Sequence, residues 1–387
     1  MRADSPPGDP FAPGLLARLP APPRKVAVLR ASRIGDFICA TPAFRALRAA
    51  LPDAELTIIT LPLLRDLATR LPCFDQYAAF PGFPGLAEQF FDARRVVAFF
   101  RAMQAERFDL AVQLQGSGVN SNPFTLLLGA RSTAGYVRAG DGPGRLAAAL
   151  PYPGQGHEIA RALALTTFLG APPRGARTIY PLRPEDHAAA AALLAGAPEP
   201  LIGLHPDARE ATRRWPPARF AAAGAALLRE RGGTAVLIGD EGARPAAADV
   251  ARRLGRPCLD LTGRTSLPVL GAVVARLALL VTNDTGPAHI AYALGTPTVT
   301  LFGSADPARY GPPRTGPFRL IVPPCACRSQ DRPACADGAS CLAALGVDDV
   351  VGAGRELLGS GFALTPRPPL PMLGEGESAT RTFPPTP

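Results

Sequence analysis

The chain has 387 residues, of which 47% are hydrophobic and 19% charged. That length suits two globular domains, and that composition excludes a largely disordered protein. The net charge is +9 and comes almost entirely from arginine, because Lys25 is the only lysine. The arginines are scattered, which favours an anionic ligand or surface and gives no reason to expect a nucleic-acid partner.

The two ends of the chain are rich in proline and differ from the rest. We predict a flexible arm over residues 1–23 and a disordered tail over residues 361–387. The sequence contains no run of about 18 uncharged apolar residues, so we predict no membrane span. The first residues also lack the apolar core of a signal peptide. We therefore predict a cytoplasmic protein, with peripheral contact to the inner membrane surface as an additional expectation.

Between these ends, short β-branched runs alternate with longer segments of helical period. The predicted strands are KVAVLR, ELTIITLP, FDLAVQLQG, LIGLHP, TAVLIGD, PCLDLTG, LALLVTND and PTVTLFG. The predicted helices are TPAFRALRAALP, PARFAAAGAALLRERG, DVARRLG, LPVLGAVVARLA and IAYALGT. This alternation predicts an α/β protein with parallel sheets covered by helices. The pattern restarts after a break within residues 170–200, which predicts two Rossmann-like domains, 24–180 and 181–360, facing a central cleft.

Ligands bind open parallel sheets beyond the carboxyl ends of the strands, so the residues that follow the strands are the candidates for function. After KVAVLR, Gly35 is expected to allow a tight turn, and Asp36 follows at or near a helix start. Asp36 is either a helix cap or a carboxylate that faces the cleft and acts as a general base.

Two loops of the second half carry charged residues after a strand. After LIGLHP, Arg213 lies close to the helix start at Trp215-Pro216, where fixed donors and the helix dipole favour a phosphate. The alternative is a solvated charged loop. After TAVLIG, Glu241 could accept hydrogen bonds from a sugar or ribose, or only favour the next helix start.

The stretch VTNDTGPAHIAYALGTPTVTLFG from Val281 to Gly303 combines a strand end, a polar turn and a helix of small residues. The Thr285 hydroxyl and the Gly286 amide can donate to phosphate oxygens at the helix start. His289 lies about one turn into that helix and could reach the same place.

Several common signatures are missing. The chain has no GxGxxG fingerprint, no GxxxxGK[ST] loop, no GxSxG elbow and no HExxH pair, which argues against nicotinamide enzymes, P-loop kinases, serine hydrolases and zinc proteases. The late cysteines do not have a standard zinc spacing, so we expect packing or a redox pair sooner than a metal site; they are Cys325, Cys327, Cys335 and Cys341.

These motifs together resemble the ADP-heptose:lipopolysaccharide heptosyltransferase family, glycosyltransferase family 9. The resemblance covers about residues 24–360. It rests on the SxxGD turn from Ser32 to Asp36, on HPDAREATRRWPPARF, on the long block that contains NDTGPAH, on SADPARYGP and on CLAALGVDDVV. The NDTGPAH block with its flanks is the most specific part.

The resemblance implies a GT-B fold with the donor site in the C-terminal domain and the acceptor site toward the N-terminal one. It also implies inverting, metal-independent sugar transfer with no cofactor. Asp36 would then be the catalytic base, and Asp284 and His289 would bind the sugar and phosphate sides of an ADP-heptose donor. Residues with weaker acceptor-side roles are Ser32, Gln115, Ser117 and Asn120.

One position departs from the family pattern, and several readings of the function stay open. The family usually has a lysine two positions before the Trp of the WP motif, where this chain has Arg213, which keeps the charge and changes its geometry. The acceptor is a glycan or glycolipid, with lipopolysaccharide core as the default. The alternatives are a non-catalytic nucleotide-sugar-binding homologue, a transferase that uses another nucleotide sugar, and a nucleotide-sugar epimerase.

Overall fold

Strands and helices alternate along the chain in a computed structural model that describes residues 8–86, 89–323, 341–359 and 381–382. The strands are β1 (Lys25–Leu29), β2 (Glu55–Thr60), β3 (Gln76–Ala79), β4 (Leu110–Gln113), β5 (Ser132–Val137), β6 (Ala148–Pro151), β7 (Leu201–His205), β8 (Thr234–Leu237), β9 (Cys258–Asp260), β10 (Leu279–Asn283), β11 (Thr298–Leu301), β12 (Phe318–Ile321) and β13 (Arg381–Thr382).

The helices are α1 (Leu15–Arg18), α2 (Ile34–Ala50), α3 (Arg65–Ala68), α4 (Ala93–Ala105), α5 (Ser121–Leu126), α6 (Glu158–Leu169), α7 (Pro184–Leu193), α8 (Pro217–Arg231), α9 (Arg244–Leu254), α10 (Leu267–Arg276), α11 (Gly286–Leu294), α12 (Pro307–Tyr310) and α13 (Val347–Gly359). Short 3-10 turns cover Pro62–Leu64, Ala211–Arg213, Glu241–Ala243 and Cys341–Ala344. Among the described helices, none is both long and apolar enough to cross a membrane.

The chain forms two compact units, Met1–Thr178 with Leu370–Pro387, and Ile179–Pro369. The sheet of the first unit has the order β13-β3-β2-β1-β4-β5-β6, and the sheet of the second has the order β12-β11-β10-β7-β8-β9. Within each sheet every strand pair is parallel. Leaving β13 aside, each unit has the Rossmann order 3-2-1-4-5-6. The α/β prediction with two Rossmann-like halves is confirmed.

In that order, the connection reverses direction between the first and fourth strands, and ligands of such sheets bind at this switch point. In the first unit it lies between β1 and β4, where Leu29 pairs with Gln113 at the strand ends. In the second it lies between β7 and β10, where His205 pairs with Thr282. The loops that follow these four strands are therefore the positions that matter for function.

The cores hold these strand ends in place. In the first unit α4 is capped by Asp92, which accepts a hydrogen bond from the Arg95 amide at 3.1 Å. The buried face of α4 carries Phe100, whose ring packs 5.0 Å from that of Phe124 on α5. In the second unit the fully buried Trp215 packs edge-on to Phe220, with ring centroids 5.0 Å apart. Trp215 thereby fixes the loop after β7 to the core.

The helix after β1 begins close to Asp36, as expected, but without the tight turn at Gly35. We expected such a turn with Asp36 at or near a helix start, whereas α2 already begins at Ile34 and its N-cap is the extended residue Arg33. The tight turn at Gly35 was a wrong prediction, because Gly35 and Asp36 are the second and third residues of the helix. Asp36 therefore lies in the first helical turn, where a carboxylate is favoured by the helix dipole.

Residues 8–23 differ from the flexible arm that their composition predicts. Leu15 in α1 is fully buried, and the Gly14 amide donates to the Phe168 carbonyl at 2.8 Å. The Ala149 amide likewise donates to the Pro10 carbonyl at 2.9 Å. These contacts fix the segment on α6 and β6. Of the expected tail, only Arg381 and Thr382 are described, and the remaining residues lie outside the described part.

Candidate active site

The predicted acceptor-side residues of the first unit follow its two switch-point strands. Ser32 and Asp36 come after β1, and Gln115, Ser117 and Asn120 come after β4. Because β1 and β4 are paired and parallel, both loops lie at the same edge of the sheet. The tertiary structure thus brings together five residues that are separated by up to 88 positions in the chain (Ser32 to Asn120).

Arg30 joins the two loops and was missed by the sequence analysis. It is only 4% exposed, and its guanidinium donates to the Leu114 carbonyl after β4. The same group donates to the Asp36 carbonyl at 2.9 Å and lies 3.4 Å from the Asp36 carboxylate. The Asp36 side chain remains 27% exposed. Arg30 therefore fixes the start of α2 and leaves the Asp36 carboxylate within reach of a ligand.

A buried acidic residue balances the charge of Arg30. The Glu158 carboxylate in α6 lies 3.1 Å from the Arg30 guanidinium and 3.4 Å from that of Arg161. All three side chains are more than nine-tenths buried. Arg161 also donates to the Tyr152 hydroxyl at 3.2 Å. Buried charges cost much free energy unless they are paired and hydrogen-bonded, so this network explains how Arg30 is tolerated behind Asp36.

Two polar atoms of the predicted acceptor side have no hydrogen-bond partner among the described residues. They are Ser32 Oγ and Gln115 Oε1, and both atoms are buried. Unpaired buried polar atoms are rare in native proteins, so these two atoms mark the region as a candidate for bound water or ligand. Ser117 is half-buried, whereas Asn120 is exposed and donates to the Gly85 carbonyl at 3.0 Å.

In the second unit, Asn283 connects the two switch-point loops. Its side-chain oxygen accepts from the Trp215 amide at 3.1 Å, and its amide nitrogen donates to the Asp207 carbonyl at 3.3 Å. Asn283 is fully buried at the last position of β10. It holds the loop after β7 against the start of α11, so that Arg213 and Thr285 come from neighbouring segments.

Arg213 and Asp284 form a close pair. The Arg213 guanidinium donates to the Asp284 carbonyl and, at 2.6 Å, to its carboxylate. It also donates to Glu210 at 3.3 Å. Burial alone lowers the pKa of Arg213, but the Asp284 and Glu210 carboxylates outweigh it and raise the pKa above its ordinary value. Arg213 is therefore a permanent positive charge, and its side chain is 27% exposed.

Asp284, which is expected to contact the sugar, lies nearly buried between two partners. Its side chain is only 2% exposed, and the His289 ring nitrogen lies 3.9 Å from its second carboxylate oxygen. The carboxylate faces Arg213 and His289, so it holds the Arg213 guanidinium in place. The sugar contact stays a prediction.

Thr285 is the N-cap of α11 and is half-buried, and Gly286 is the first helical residue. As the first residue of the helix, Gly286 has an amide without an intrahelical partner. The Thr285 hydroxyl lies 3.2 Å from the His205 ring nitrogen. The Thr285 hydroxyl and the Gly286 amide lie at the start of a nine-residue helix, the end that favours an anion.

The sequence shows His205 only as the end of a strand. In the structure its ring contacts Thr285 of the candidate site. Burial lowers the pKa of His205 to about 4, so the ring is neutral at physiological pH. The same ring nitrogen lies 3.2 Å from the Thr282 hydroxyl. The Thr285 hydroxyl thus lies beside the Asn283 carbonyl, to which it donates at 3.2 Å, and beside the His205 ring, which adds no charge.

The two remaining residues predicted on the donor side are His289 and Glu241, and only His289 flanks the switch point. His289 is 6% exposed, and its ring packs edge-on to Tyr292 and Tyr310, with centroids 5.7 and 6.2 Å away. Glu241 follows β8, outside the switch point, and its side chain is 74% exposed with Arg244 at 2.6 Å. Of the donor-side residues, those that flank the switch point are Arg213, Asp284, Thr285, Gly286 and His289.

The cysteine cluster falls largely outside the described residues, as Cys325, Cys327 and Cys335 do. Cys341 is buried at the start of a 3-10 turn. Within residues 8–86, 89–323 and 341–359, no group of three histidine, cysteine or acidic side chains is arranged to hold a metal ion.

Comparison with known proteins gives the family of the chain. The family model of glycosyltransferase family 9 (heptosyltransferase) matches residues 96–325, more than half of the sequence. The chain belongs to glycosyltransferase family 9. It is a glycosyltransferase with a GT-B fold, as the sequence predicted.

Individual members of the family are similar over most of their length. Lipopolysaccharide heptosyltransferase 3 of Escherichia coli is 27% identical over 291 residues, which cover 70% of this chain and 81% of the relative. The solved family 9 transferase of Veillonella parvula has a TM-score of 0.75 at 20% identity, over 87% of this chain and 98% of that one. The E. coli heptosyltransferase WaaC with ADP has a TM-score of 0.63 at 19% identity, over 86% and 99%.

The family match does not cover both sites equally. Residues 96–325 include the switch point of the second unit, with Arg213 and Thr285, and the loop after β4 in the first. Ser32, Arg30 and Asp36 lie before the matched range. The role of the loop after β1 in this family 9 chain therefore rests on its own geometry.

Proposed function

We propose that this family 9 protein is an inverting, metal-independent heptosyltransferase. It moves a heptose, or a related sugar, from an ADP-sugar to a glycan or lipid-linked acceptor such as lipopolysaccharide core. The observation that carries the proposal is that the two switch points hold partly exposed groups of opposite charge. One offers a partly exposed carboxylate, Asp36, and the other a partly exposed cation, Arg213, beside the start of α11.

The switch point of the second unit suits a nucleoside diphosphate. The Arg213 guanidinium supplies a positive charge and can donate to phosphate oxygens with the hydrogens that Asp284 and Glu210 leave unused. The Gly286 amide and the Thr285 hydroxyl add donors at the positive end of α11. These groups are held in position before the ligand binds. They therefore stabilise the charge that grows on a departing diphosphate without reorganisation. The relative solved with ADP supports this choice of nucleotide.

The switch point of the first unit suits a polyhydroxylated acceptor. Ser32 Oγ and Gln115 Oε1 are buried and lack partners among the described residues, so sugar hydroxyls would satisfy them. Ser117 and Asn120 border the same loop. The lipopolysaccharide acceptor is supported by the names of the curated relatives, which are lipopolysaccharide heptosyltransferases.

In the proposed reaction, the Asp36 carboxylate takes the proton of an acceptor hydroxyl. The oxygen then attacks the anomeric carbon from the face opposite ADP. The bond between this carbon and the phosphate oxygen breaks, and its electron pair leaves with ADP. The new glycosidic bond therefore has the inverted configuration. Arg30 acts as a positioning residue, since it holds the carbonyl and carboxylate of Asp36.

The test is a transfer assay with purified protein, ADP-heptose and heptose-deficient lipopolysaccharide core, with the product analysed by mass spectrometry and its anomeric configuration by NMR. We expect transfer with inversion that EDTA does not reduce. Retention of configuration, or loss of activity in EDTA that a divalent ion restores, would refute the corresponding part of the proposal.

The nucleotide sugar is tested separately by thermal shift with ADP-heptose, UDP-sugars and GDP-sugars. A true donor stabilises the folded protein by RT ln(1 + [L]/Kd). If only a UDP-sugar or a GDP-sugar stabilises the protein, that nucleotide sugar replaces ADP-heptose as the proposed donor. Donor binding with no transfer to any core acceptor would favour a non-catalytic homologue. We place the reaction in the cytoplasm, where fractionation of the native host would detect the protein.

A further inference from the structure

The start of α4 presents an apolar and basic surface that the transfer reaction does not use. Phe90 is 86% exposed, Phe91 43% and Val97 51%. Arg94 and Arg101 are exposed beside them. We call these five residues the basic ledge. Such large exposed aromatic side chains are unusual on a protein surface that only meets water.

Three of the five ledge residues lie on one face of α4. Arg94, Val97 and Arg101 are three and four residues apart, so they lie on the same side of α4. They line an open depression of about 400 Å³, together with Ala93 and Ala98.

The opposite face of α4 is buried in the core through Val96, Phe99, Phe100 and Met103. A helix with one face in the core normally presents polar side chains on the other. Here the second face is itself amphipathic, with an apolar position between two arginines.

The described residues before α4 pack closely against one another and against the core. A side chain at Gly82, which has φ +88°, would lie 2.3 Å from the Phe90 carbonyl, so Gly82 permits the close approach of the two segments. The Phe83 ring packs edge-on to those of Phe100 and Phe124, at 6.1 and 5.3 Å. Phe90 and Phe91 are therefore presented by anchored backbone.

The loop after β4 contacts residues that precede the ledge in the chain. Asn120 donates to the Gly85 carbonyl at 3.0 Å, and Gly82 lies close to Phe90. The ledge and the proposed acceptor loop therefore belong to the same unit; the lipid-linked nature of the acceptor rests on the proposed function.

We propose that the basic ledge docks on an anionic lipid bilayer surface. Residues 89–101 contain three arginines against one aspartate, Asp92, which caps α4. Arginines next to exposed aromatic and aliphatic side chains match the interface of such a bilayer: the rings enter the headgroup region, and the guanidinium groups meet lipid phosphates. Aromatic and arginine side chains also occur at protein interfaces, so self-association is the competing outcome of the test.

The experiment is sedimentation of the full chain with vesicles of phosphatidylcholine, with or without phosphatidylglycerol, and with no donor or acceptor present. One variant carries Phe90→Ser and Phe91→Ser, and a second carries Arg94→Gln and Arg101→Gln. The matched control carries Leu320→Ser and Arg131→Gln, which change an exposed apolar residue of the second unit and an exposed arginine of the first. Circular dichroism checks that each variant is folded.

We expect the wild type and the control to bind phosphatidylglycerol vesicles. The arginine variant should bind them about 30-fold more weakly, at a factor of about five per arginine. The phenylalanine variant should lose binding to both kinds of vesicle. Transfer to a delipidated, water-soluble acceptor should be unchanged in all variants.

Three results would overturn the proposal. The first is absence of wild-type binding to anionic vesicles, and the second is wild-type binding by both ledge variants. The third is self-association in analytical ultracentrifugation that the phenylalanine variant abolishes while vesicles are not bound, since the ledge would then join two copies of the chain. Vesicle binding without substrate is measured independently of catalysis, so its failure is distinguishable from failure of the proposed function.

Discussion

Each unit has an arginine–carboxylate pair at its switch point, and the two pairs have opposite burial. In the first unit Arg30 is 4% exposed and Asp36 27%. In the second, Asp284 is 2% exposed and Arg213 27%. In each pair the buried member holds the exposed one, which is available to a ligand. The first unit thus offers a negative group, suited to taking a proton, and the second a positive group, suited to a diphosphate.

The sharpest test of the first pair is Asp36→Asn. If the exposed carboxylate is the base, the rate of transfer should fall by about 10²–10⁴ while the affinity for ADP-sugar stays unchanged. Turnover and calorimetric titration measure the two effects. Asp53→Asn, an exposed aspartate of the same unit, is the control and should keep wild-type turnover. An Asp36→Asn enzyme that turns over like the wild type would reduce Asp36 to a residue that favours the helix start.

The buried His205 ring of the second unit predicts that the stability of the protein depends on pH. Burial lowers the pKa of His205 to about 4 in the folded chain, whereas an unfolded histidine titrates near about 6.5. Between these values the unfolded chain binds a proton that the folded chain does not. The free energy of unfolding should therefore fall as the pH drops from about 6.5 to about 4, by about 3 kcal/mol in total.

Urea denaturation at a series of pH values measures this loss. His205→Gln should remove most of the pH dependence in that range, because glutamine does not titrate. The exposed His187→Gln is the control and should keep the wild-type dependence. Equal pH dependence in all three proteins would show that His205 is not the titrating group.

The second pair is tested by Asp284→Asn. If Asp284 acts by holding Arg213, the variant should weaken ADP and ADP-sugar binding equally, by about 1.5–3 kcal/mol, as Arg213→Gln does. The double variant should be no weaker than the worse single one, because the two residues share one interaction. Glu210→Gln, which removes the more exposed partner of Arg213, is the control for loss of a nearby carboxylate. A larger loss for ADP-sugar than for ADP would instead favour a direct sugar contact by Asp284.

A smaller effect is expected at the start of α11. Thr285→Val should weaken ADP binding by about 1 kcal/mol, because it removes one hydroxyl donor and leaves the Gly286 amide and the helix dipole. Thr285→Ser keeps the hydroxyl and should bind like the wild type. Calorimetric titration with ADP measures the affinity of both variants. Equal weakening in the valine and serine variants would point to altered packing and not to a lost hydroxyl donor.

The smallest effect is expected outside the switch point. The Glu241 side chain is 74% exposed, and its partner Arg244 is 53% exposed. Glu241→Gln should change the free energy of unfolding by less than about 1 kcal/mol, because exposed ion pairs contribute little. Its effect on ADP-sugar binding should be smaller than that of Arg213→Gln. A loss as large as that of Arg213→Gln would place Glu241 in the donor site after all.

Much of this protein follows from the order of residues alone. The β-branched runs and helical periods predict the parallel sheets, since each element buries its apolar face locally. The positions of the polar loops follow from the same pattern, because function in such sheets lies after the strands. NDTGPAH could be read as an anion-binding helix start for this reason. The tight turn expected at Gly35 was wrong, because the helix already begins at Ile34 after Arg33, an N-cap without a capping side chain.

Only the tertiary structure decides which charged group of each pair is buried. Glu158 lies 128 positions from Arg30 in the chain, and Asp284 lies 71 positions from Arg213. Local sequence shows neither partner, because strand pairing and helix packing bring distant segments together. Burial depends on what covers a side chain, and here the cover comes from another part of the fold. The sequence thus determined where the charged residues lie along the chain, and the fold decided which of them meet a ligand.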